Sequence, residues 1–284
     1  MNVKILKPYG YCAGVMQAIN LIKSVAKSND DLPIYCIGQI VHNDIVNEVI
    51  ASLGVNVLTG DKDKLIDSID RGIVIFQAHG TDNKIVEKAS KKGLIVYDAI
   101  CSFVKKDFDL IKSKLNDGYS VIYIGKKGHP ESEAALSISP DIFFIEKEDD
   151  VNYLHIDNDK ICVTNQTTLS LHDIANIHSK IKEKYPQTEL IDEICSFTRI
   201  RQEHLLVELK NDYDGIIVVG GHNSNNVKSL HELAVENGKD AIIVDRKENL
   251  DHSFLDNKNN ILLVSGASTP NFLVDDIYEY LTKL

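Results

Sequence analysis

Short runs of β-branched and other apolar residues alternate along this chain with longer stretches in which apolar residues recur every three or four positions. The short runs are bounded by Gly, Pro or Asp, as buried strands commonly are, and the longer stretches have the period of amphipathic helices. The pattern predicts strands near Val3–Leu6, Ile34–Ile37, Gly72–Phe76, Leu94–Tyr97, Ser120–Ile124, Ile142–Ile145, Lys160–Thr164, Gly215–Val219, Ala241–Val244 and Ile261–Val264. Because such strands alternate with helices, we expect βαβ units, parallel sheets and the α/β class.

The helical stretches between these strands are also visible in the sequence. Asp44–Leu53 is predicted to be an amphipathic helix, with one apolar face formed by Ile45, Val46, Val49, Ile50 and Leu53. Further helices are predicted at Ser102–Asn116, Leu171–Lys184, Asn225–Glu236 and Asn271–Leu281.

A short motif containing cysteine occurs twice. Asp98–Val104 reads DAICSFV and Asp192–Thr198 reads DEICSFT, so five of the seven positions are identical. Cys12, in YGYCAG, precedes Cys101 by about as many residues as separate Cys101 from Cys195, roughly 90. We infer three similar units, each with a cysteine at a strand-to-helix turn. Chance similarity in a repetitive α/β chain is the alternative.

Composition limits the class of partner. The 284 residues include 31 Lys and Arg against 42 Asp and Glu, a formal net charge of −11. Nucleic acid and anionic membranes select for basic surfaces, so neither is expected as the main partner. The start of the chain shows no secretory signal pattern, and the apolar runs are far shorter than the roughly 18–20 residues of a membrane span. We therefore expect a cytoplasmic protein whose five cysteines are reduced.

Polar residues follow most of the predicted strands, where open α/β sheets collect their functional groups. His42, His79 and His129 lie at such places, as do the small polar residues of two loops, 220–226 and 265–270. Free backbone N–H groups and the dipole at a helix N-terminus bind phosphate without requiring many cations. These segments predict a diphosphate pocket. Ser and Asn are also the preferred helix N-caps, which is the alternative for each position taken alone.

The five cysteines fall into two groups. Cys36 and Cys162 lie within apolar strands and are predicted to belong to the core. Cys12, Cys101 and Cys195 lie at turns flanked by Gly or Ser. Three thiolates without a fourth protein ligand suit either a zinc site with an open position or a cubane iron–sulfur cluster whose fourth iron lacks a cysteine. The spacing alone leaves both open, and buried structural cysteines remain the alternative.

Glu131, in the segment GHPE, is a candidate general acid if its surroundings tune its pKa. The alternative is a glutamate in the first turn of a helix, where the helix dipole favours it. Thr167 and Thr168 are candidates to relay a proton or to cap the next helix.

Taken together, these segments resemble the 4-hydroxy-3-methylbut-2-enyl diphosphate reductase (LytB) family from end to end. The resemblance is carried by GYCAGV (Gly10–Val15), VHN (Val41–Asn43), AHG (Ala78–Gly80), DAIC (Asp98–Cys101), GHPE (Gly128–Glu131), TNQTTLS (Thr164–Ser170), DEIC (Asp192–Cys195), NSNN (Asn223–Asn226) and GAST-P (Gly266–Pro270). Each motif is weak by itself, but the set in this order is specific.

The resemblance implies an α/β fold of three similar βαβ lobes with mostly parallel sheets, in a pseudo-threefold arrangement around a central metal cluster. The lobes are expected at residues 14–97, 98–193, and 194–284 together with 1–13. It also implies one [4Fe–4S] cluster per subunit, held by Cys12, Cys101 and Cys195, and a ferredoxin or flavodoxin as electron donor. The implied reaction reduces (E)-4-hydroxy-3-methylbut-2-enyl diphosphate to isopentenyl and dimethylallyl diphosphate in the non-mevalonate isoprenoid pathway.

The resemblance further implies that Glu131 is the proton donor, with Thr167 and His129 in its hydrogen-bond network. The implied substrate-binding set is His42, His79, His129, Thr167, Ser224, Asn225, Asn226 and Ser268. The chain departs from the family pattern at Asn225, where a second Ser is usual, and in the run 198–202 after the third cysteine. Two other functions remain open: a zinc-dependent phosphate-ester hydrolase, and a non-catalytic iron–sulfur sensor.

Overall fold

A computed structural model describes residues 1–29 and 31–284 and divides the chain into two compact units. The first unit comprises Met1–Met16, Val41–Glu48 and Cys195–Leu284, and the second comprises Gln17–Ile40 and Val49–Ile194. The strands are β1 (Asn2–Ile5), β2 (Ile34–Ile37), β3 (Val55–Leu58), β4 (Ile73–Phe76), β5 (Ile95–Asp98), β6 (Ser120–Ile124), β7 (Phe143–Ile145), β8 (Ile161–Asn165), β9 (Glu189–Leu190), β10 (Gly215–Val219), β11 (Ala241–Val244) and β12 (Asn260–Ser265).

The α-helices connect these strands. They are α1 (Ala13–Ser28), α2 (Asp44–Ala51), α3 (Lys62–Ser68), α4 (Asn83–Lys91), α5 (Ser102–Asn116), α6 (Pro130–Leu136), α7 (Leu171–Lys184), α8 (Ser196–Glu208), α9 (Asn225–Glu236) and α10 (Asn271–Thr282). No helix in the described part of the chain is both long enough and apolar enough to cross a bilayer.

Three four-stranded sheets organise the fold, and every strand pair in them is parallel. Sheet A, in the first unit, has the order β1-β12-β10-β11. Sheets B and C, in the second unit, have the orders β3-β2-β4-β5 and β7-β6-β8-β9. The predicted α/β class and the three lobes with parallel sheets are therefore confirmed, whereas the lobe boundaries and their arrangement about a central cluster stay predictions.

The inner strands of each sheet are apolar on both faces because helices cover both sides. All residues of β10 and β8 are buried, as are those of β4. In sheet A, one face packs on Val227, Leu230 and other residues of α9, and the opposite face packs on Val274 and Ile277 of α10. This burial on both faces explains why β10 and β4 are unbroken apolar runs in the sequence, whereas β8 ends in two buried polar residues, Thr164 and Asn165.

The structure agrees with the predicted strands to within one or two residues at their ends, and it adds two. The additions, β3 and β9, are both edge strands: β3 has an Asn in its centre, and β9 has two residues. Edge strands bury only part of their surface, so their sequences need not be apolar.

One helix differs from its predicted pattern. Helix α2 ends at Ala51 rather than Leu53, and Val49 and Leu53 are each 39% exposed. Val46 and Ile50 are buried as predicted. The predicted apolar face was too wide. The buried side chains of this two-turn helix are Val46, Asn47 and Ile50, and one of these three is polar.

Candidate active site

In a parallel sheet the carboxyl ends of all strands meet at one edge, so the loops that follow neighbouring strands lie close together. In sheet C, the two inner strands are followed by the GHPE segment and by the segment Gln166–Thr168. In sheet A, the two inner strands are followed by the loops 220–224 and 266–270. We describe the two units separately.

Glu131 lies in the first turn of α6 and is 0% exposed. Its carboxylate accepts two hydrogen bonds from Thr167: the backbone N–H donates to Oε1 at 2.7 Å, and Oγ1 donates to Oε2 at 3.1 Å. Glu131 is thus a first-turn residue of its helix, as the alternative has it, and is at the same time buried and hydrogen-bonded. The neighbouring loop holds this carboxyl group and shields it from water.

The pKa of Glu131 suits an acid that works near neutrality. Burial raises this pKa from 4.5 to about 7, although both hydrogen bonds from Thr167 lower it. A general acid is most effective when its pKa lies near the working pH, because the protonated form is then abundant and still gives up its proton readily. The site thus has the chemistry of a proton donor.

His129 caps the helix that carries Glu131. Its Nδ1 accepts a hydrogen bond from the backbone N–H of Glu131 at 3.2 Å, so Nδ1 carries no proton and the neutral ring bears its proton on Nε2. The ring of His79, which follows β4, meets the ring of His129 edge to face, with centroids 5.3 Å apart. Two of the predicted diphosphate-binding histidines of the second unit are therefore neighbours.

Gln166 braces the loops around Glu131, a role that the sequence analysis missed. Its Oε1 accepts hydrogen bonds from the backbone N–H of Lys126 and from Ser132 Oγ, and its Nε2 donates to Thr168 Oγ1. The side chain is fully buried. A polar residue directly after a buried strand was the available indication of such a role.

Asp107 is a second buried carboxyl group that was not predicted. It lies on α5, the helix that Cys101 precedes, and accepts a hydrogen bond from Thr164 Oγ1 at 2.5 Å. Burial raises the pKa of Asp107 well above its usual range, and the negative charge of Glu131 raises it further, against the bond from Thr164. The hydrogen bond from Thr164 to Asp107 ties α5 to the end of β8.

In the first unit, the predicted anion loop begins at Ser224, which is the N-cap of α9. Its Oγ accepts a hydrogen bond from Val227 N at 3.4 Å, and the hydroxyl proton stays available to a ligand. Asn226 joins three segments: its Oδ1 accepts from Ala267 N at 2.8 Å, and its Nδ2 donates to Thr198 Oγ1 at 3.3 Å. Asn226 therefore holds the loops in place.

Two glycines let these loops approach α9 closely. Gly220 has a φ of +152°, and a Cβ at this position would overlap Val227 and Thr269. A Cβ at Gly266 would also overlap Val227. The close approach packs both loops against the first turn of α9.

The other predicted anion-binding residues of the first unit have different surroundings. Ser268 Oγ lies 3.5 Å from the carbonyl oxygen of His42 and is positioned to donate to it. Burial lowers the pKa of His42, and the nearby cation of Lys228 lowers it further, whereas Asp44 raises it. The Nδ2 of Asn225 is buried and has no hydrogen-bond partner among the residues that the structure describes.

The three turn cysteines share one local geometry. Cys101 and Cys195 are the N-caps of α5 and α8, and Cys12 directly precedes α1, with Val15 N donating to its Sγ at 3.5 Å. All three are half-buried, and within residues 1–29 and 31–284 no cysteine forms a disulfide. By contrast Cys36 and Cys162 are buried in strands, as predicted, and burial raises the pKa of each thiol to about 12.

Helix α8 contains a further residue that the sequence analysis missed. Arg201 is 2% exposed and belongs, with Thr198 and Gln202, to the polar part of the buried face of α8. Its guanidinium donates to the carbonyl oxygens of Gly10 at 2.7 Å and Phe197 at 3.1 Å. Nothing local in the sequence distinguishes this arginine from one on a solvated helix face.

These features define a class: an α/β protein with three parallel sheets whose strand ends carry cysteines, loops of small polar residues and a buried acid. The sequence model of the LytB protein family matches residues 3–282, and the chain belongs to that family. The 4-hydroxy-3-methylbut-2-enyl diphosphate reductase of Geobacillus sp. (strain WCH70) is 42% identical over all of this chain and 91% of its own length. The enzyme of that name from Symbiobacterium thermophilum is also 42% identical, over all of this chain and 97% of its own length.

Solved structures agree with this family. The E-1-hydroxy-2-methyl-but-2-enyl-4-diphosphate reductase from Plasmodium falciparum is similar with a TM-score of 0.93 and 34% identity, over 99% of this chain and 88% of that one. A second structure, of an (E)-4-hydroxy-3-methyl-but-2-enyl diphosphate reductase, has a TM-score of 0.69 and 25% identity, over 100% of this chain and 99% of that one.

Proposed function

We propose that this chain reduces (E)-4-hydroxy-3-methylbut-2-enyl diphosphate to isopentenyl and dimethylallyl diphosphate, the last step of the non-mevalonate isoprenoid pathway. Full-length identity of 42% to reductases of that name supports the proposal. The observation that carries it is Glu131, a fully buried carboxyl group with a pKa of about 7. The reaction breaks an allylic C–O bond, takes up two electrons and two protons, and releases the oxygen as water.

The proposed cofactor is one [4Fe–4S] cluster per subunit, with Cys12, Cys101 and Cys195 as ligands. The donor set fits this group, because three thiols outside disulfides stand at helix N-termini, where an anionic ligand is favoured. The two strand cysteines do not fit, since each is enclosed by the core of its sheet. When bound, the cluster would supply electrons and an open iron position for the substrate oxygen.

Glu131 would hold the proton that the leaving hydroxyl group needs. Because its carboxyl group is protonated in half or more of the molecules below pH 7, it can protonate the oxygen as the C–O bond breaks. Thr167, with two hydrogen bonds to the same carboxylate, would keep it oriented and stabilise the charge that remains. His129 would fix the start of α6, and with it the carboxyl group.

The diphosphate would orient the carbon skeleton from its other end. We assign this role to loops at helix N-termini and to the histidines near them: His42, His79, His129, Thr167, Ser224, Asn225, Asn226 and Ser268. Ser224 would donate its hydroxyl proton to a phosphate oxygen, and the unpartnered Nδ2 of Asn225 would donate another hydrogen bond. Asn226, whose amide already bonds to Ala267 and Thr198, would act mainly by shaping the loops.

The remaining assignments concern context. We propose a ferredoxin or flavodoxin as electron donor, a cytoplasmic location, and lobes at residues 14–97, 98–193, and 194–284 with 1–13. The donor is the one that membership of the LytB family implies. The lobes follow the three sheets, each of which has its own cysteine turn.

The test begins with anaerobic purification, followed by iron, sulfide and zinc analysis, an EPR spectrum, and turnover with reduced methyl viologen. We expect about four irons per chain and formation of both diphosphate products. A protein that contains zinc and no iron after cluster reconstitution, and that hydrolyses phosphate esters, would contradict the reductase and support the hydrolase. A loaded cluster with no turnover would leave the protein a sensor.

A further inference from the structure

Arg201 is a permanent cation in a place where a cation is costly. Its side chain is among the largest that are fully buried, and an arginine does not discharge in proteins. No carboxylate of the described residues forms an ion pair with Arg201, and its Nε has no hydrogen-bond partner there. Burying a charge without a counter-charge costs several kcal/mol. We therefore expect an anionic group close to this guanidinium.

Two of the turn cysteines, Cys12 and Cys195, act on Arg201. Burial lowers the pKa of Arg201, whereas these two groups as thiolates raise it. Backbone contacts link Arg201 to the same two cysteines. The carbonyl group that accepts from Nη2 belongs to Gly10, two residues before Cys12, and Arg201 lies on the helix that Cys195 caps.

The turn that Arg201 holds cannot easily move. Gly10 has a φ of +82°, and a Cβ there would overlap the side chain of Asn271. Gly10 N donates to Ser265 Oγ at 3.0 Å, and Cys12 N donates to Ala267 O at 2.9 Å. The guanidinium is one of several fixed contacts around the turn, and it alone carries a charge.

We propose that Arg201 is a positioning and charge-balancing residue that holds the Cys12 turn to α8 and raises the reduction potential of the metal group on the cysteines. The inference rests on the proposed function. A fixed cation beside an anionic redox centre favours the reduced state, which carries one more negative charge. Because Arg201 is buried, salt does not screen this effect as it screens surface charges.

The experiment compares Arg201→Gln and Arg201→Lys with the wild-type holoenzyme, using iron content and the midpoint potential from an EPR-monitored titration. Arg201→Gln removes the charge, so we expect a more negative midpoint potential. Arg201→Lys keeps the charge and loses the two-pronged donor, so we expect a midpoint near that of the wild type and a lower iron content. The matched control is Arg246→Gln, a partly exposed arginine of the same unit that pairs with Asp245 and Glu48.

The outcomes separate the two proposals. A loaded Arg201→Gln enzyme with the midpoint of the wild type overturns the role of Arg201, while the wild-type cluster and turnover still support the reductase. If Arg201→Gln fails to fold or to bind iron, Arg201→Lys decides: a wild-type midpoint supports the charge effect, and a midpoint well below it overturns the effect. A wild-type protein without a cluster overturns the proposed function itself.

Discussion

The inner strands of sheets A and C end in loops of opposite chemical character. In sheet C, the loops after β6 and β8 enclose a carboxyl group, Glu131, with no basic partner among the described side chains. In sheet A, the loops after β10 and β12 contain hydroxyl and amide groups and the N-terminus of a helix, and no buried acid. Two sheets with inner strands in the same parallel arrangement thus carry a buried acid in one unit and neutral hydrogen-bonding groups in the other.

Only a few residues distinguish the two kinds of site. Each has a helix that begins right after the strand loop, with a capping side chain: His129 in one and Ser224 in the other. Two residues after the cap, the first site has a buried glutamate, whereas the corresponding Asn226 of the second site bonds to a neighbouring loop. Fold supplies the position, and one side chain decides the chemistry.

The substitution with the largest expected effect removes the acid from sheet C. Glu131→Gln keeps the shape and one acceptor for Thr167 but holds no transferable proton. Since general acid catalysis contributes about 10²–10⁴-fold, we expect turnover to fall by that factor while iron content stays unchanged. The measurement is anaerobic turnover with reduced methyl viologen.

The control for this variant is Glu133→Gln, two residues along α6, where the side chain is exposed. It removes the same charge from the same helix and should retain wild-type turnover. Near-normal rates in Glu131→Gln itself would show that the proton comes from elsewhere, and the contrast between the two sheets would then lose its functional meaning.

A second prediction concerns pH. The pKa of Glu131 is about 7 in the folded protein and 4.5 in the unfolded chain, so the folded state binds the proton more tightly. The contribution of Glu131 to the free energy of unfolding is therefore complete below pH 4.5. As the pH rises to 7, about 3 kcal/mol of this contribution is lost. Turnover should likewise decline above pH 7.

Denaturant unfolding of wild type and Glu131→Gln at pH 5 and pH 8 checks this sign. The variant has no buried carboxylate to ionise, so its stability relative to the wild type should increase between the two pH values. If the stability difference between the two proteins is the same at both pH values, Glu131 stays in one protonation state throughout. Glu131 would then titrate no more than the neutral groups in the loops of sheet A.

Much of this contrast could be predicted from the sequence, and the reasons are physical. Inner strands such as β10 and β4 are apolar throughout because both faces are covered, so they were easily found. Edge strands β3 and β9 were missed, because a strand that buries one side tolerates polar residues. Glu131 was recognised as a candidate, but only its burial distinguishes a proton donor from a first-turn glutamate.

The supporting residues were harder to predict. Asp107, Gln166 and Arg201 act through partners that are distant in sequence, such as the 57-residue separation between Asp107 and Thr164. A single polar residue within a helix gives no indication that it is buried, because a solvated face has the same composition. Local patterns therefore identified the candidate site residues, whereas their supporting residues could be identified only from tertiary packing.

The smallest predicted effect tests the sheet A side of the comparison. Asn226→Ala removes the acceptor of Ala267 N and the donor to Thr198, and leaves buried polar groups unsatisfied. We expect a loss of about 1–3 kcal/mol in unfolding free energy, together with a higher KM for the diphosphate substrate and little change in kcat. Asn223→Ala is the matched control, because this asparagine is exposed in the same loop and should alter neither quantity. A fall in kcat with an unchanged KM would place Asn226 in the chemical step. The proposed contrast between a structural residue in one unit and an acid in the other would then be wrong.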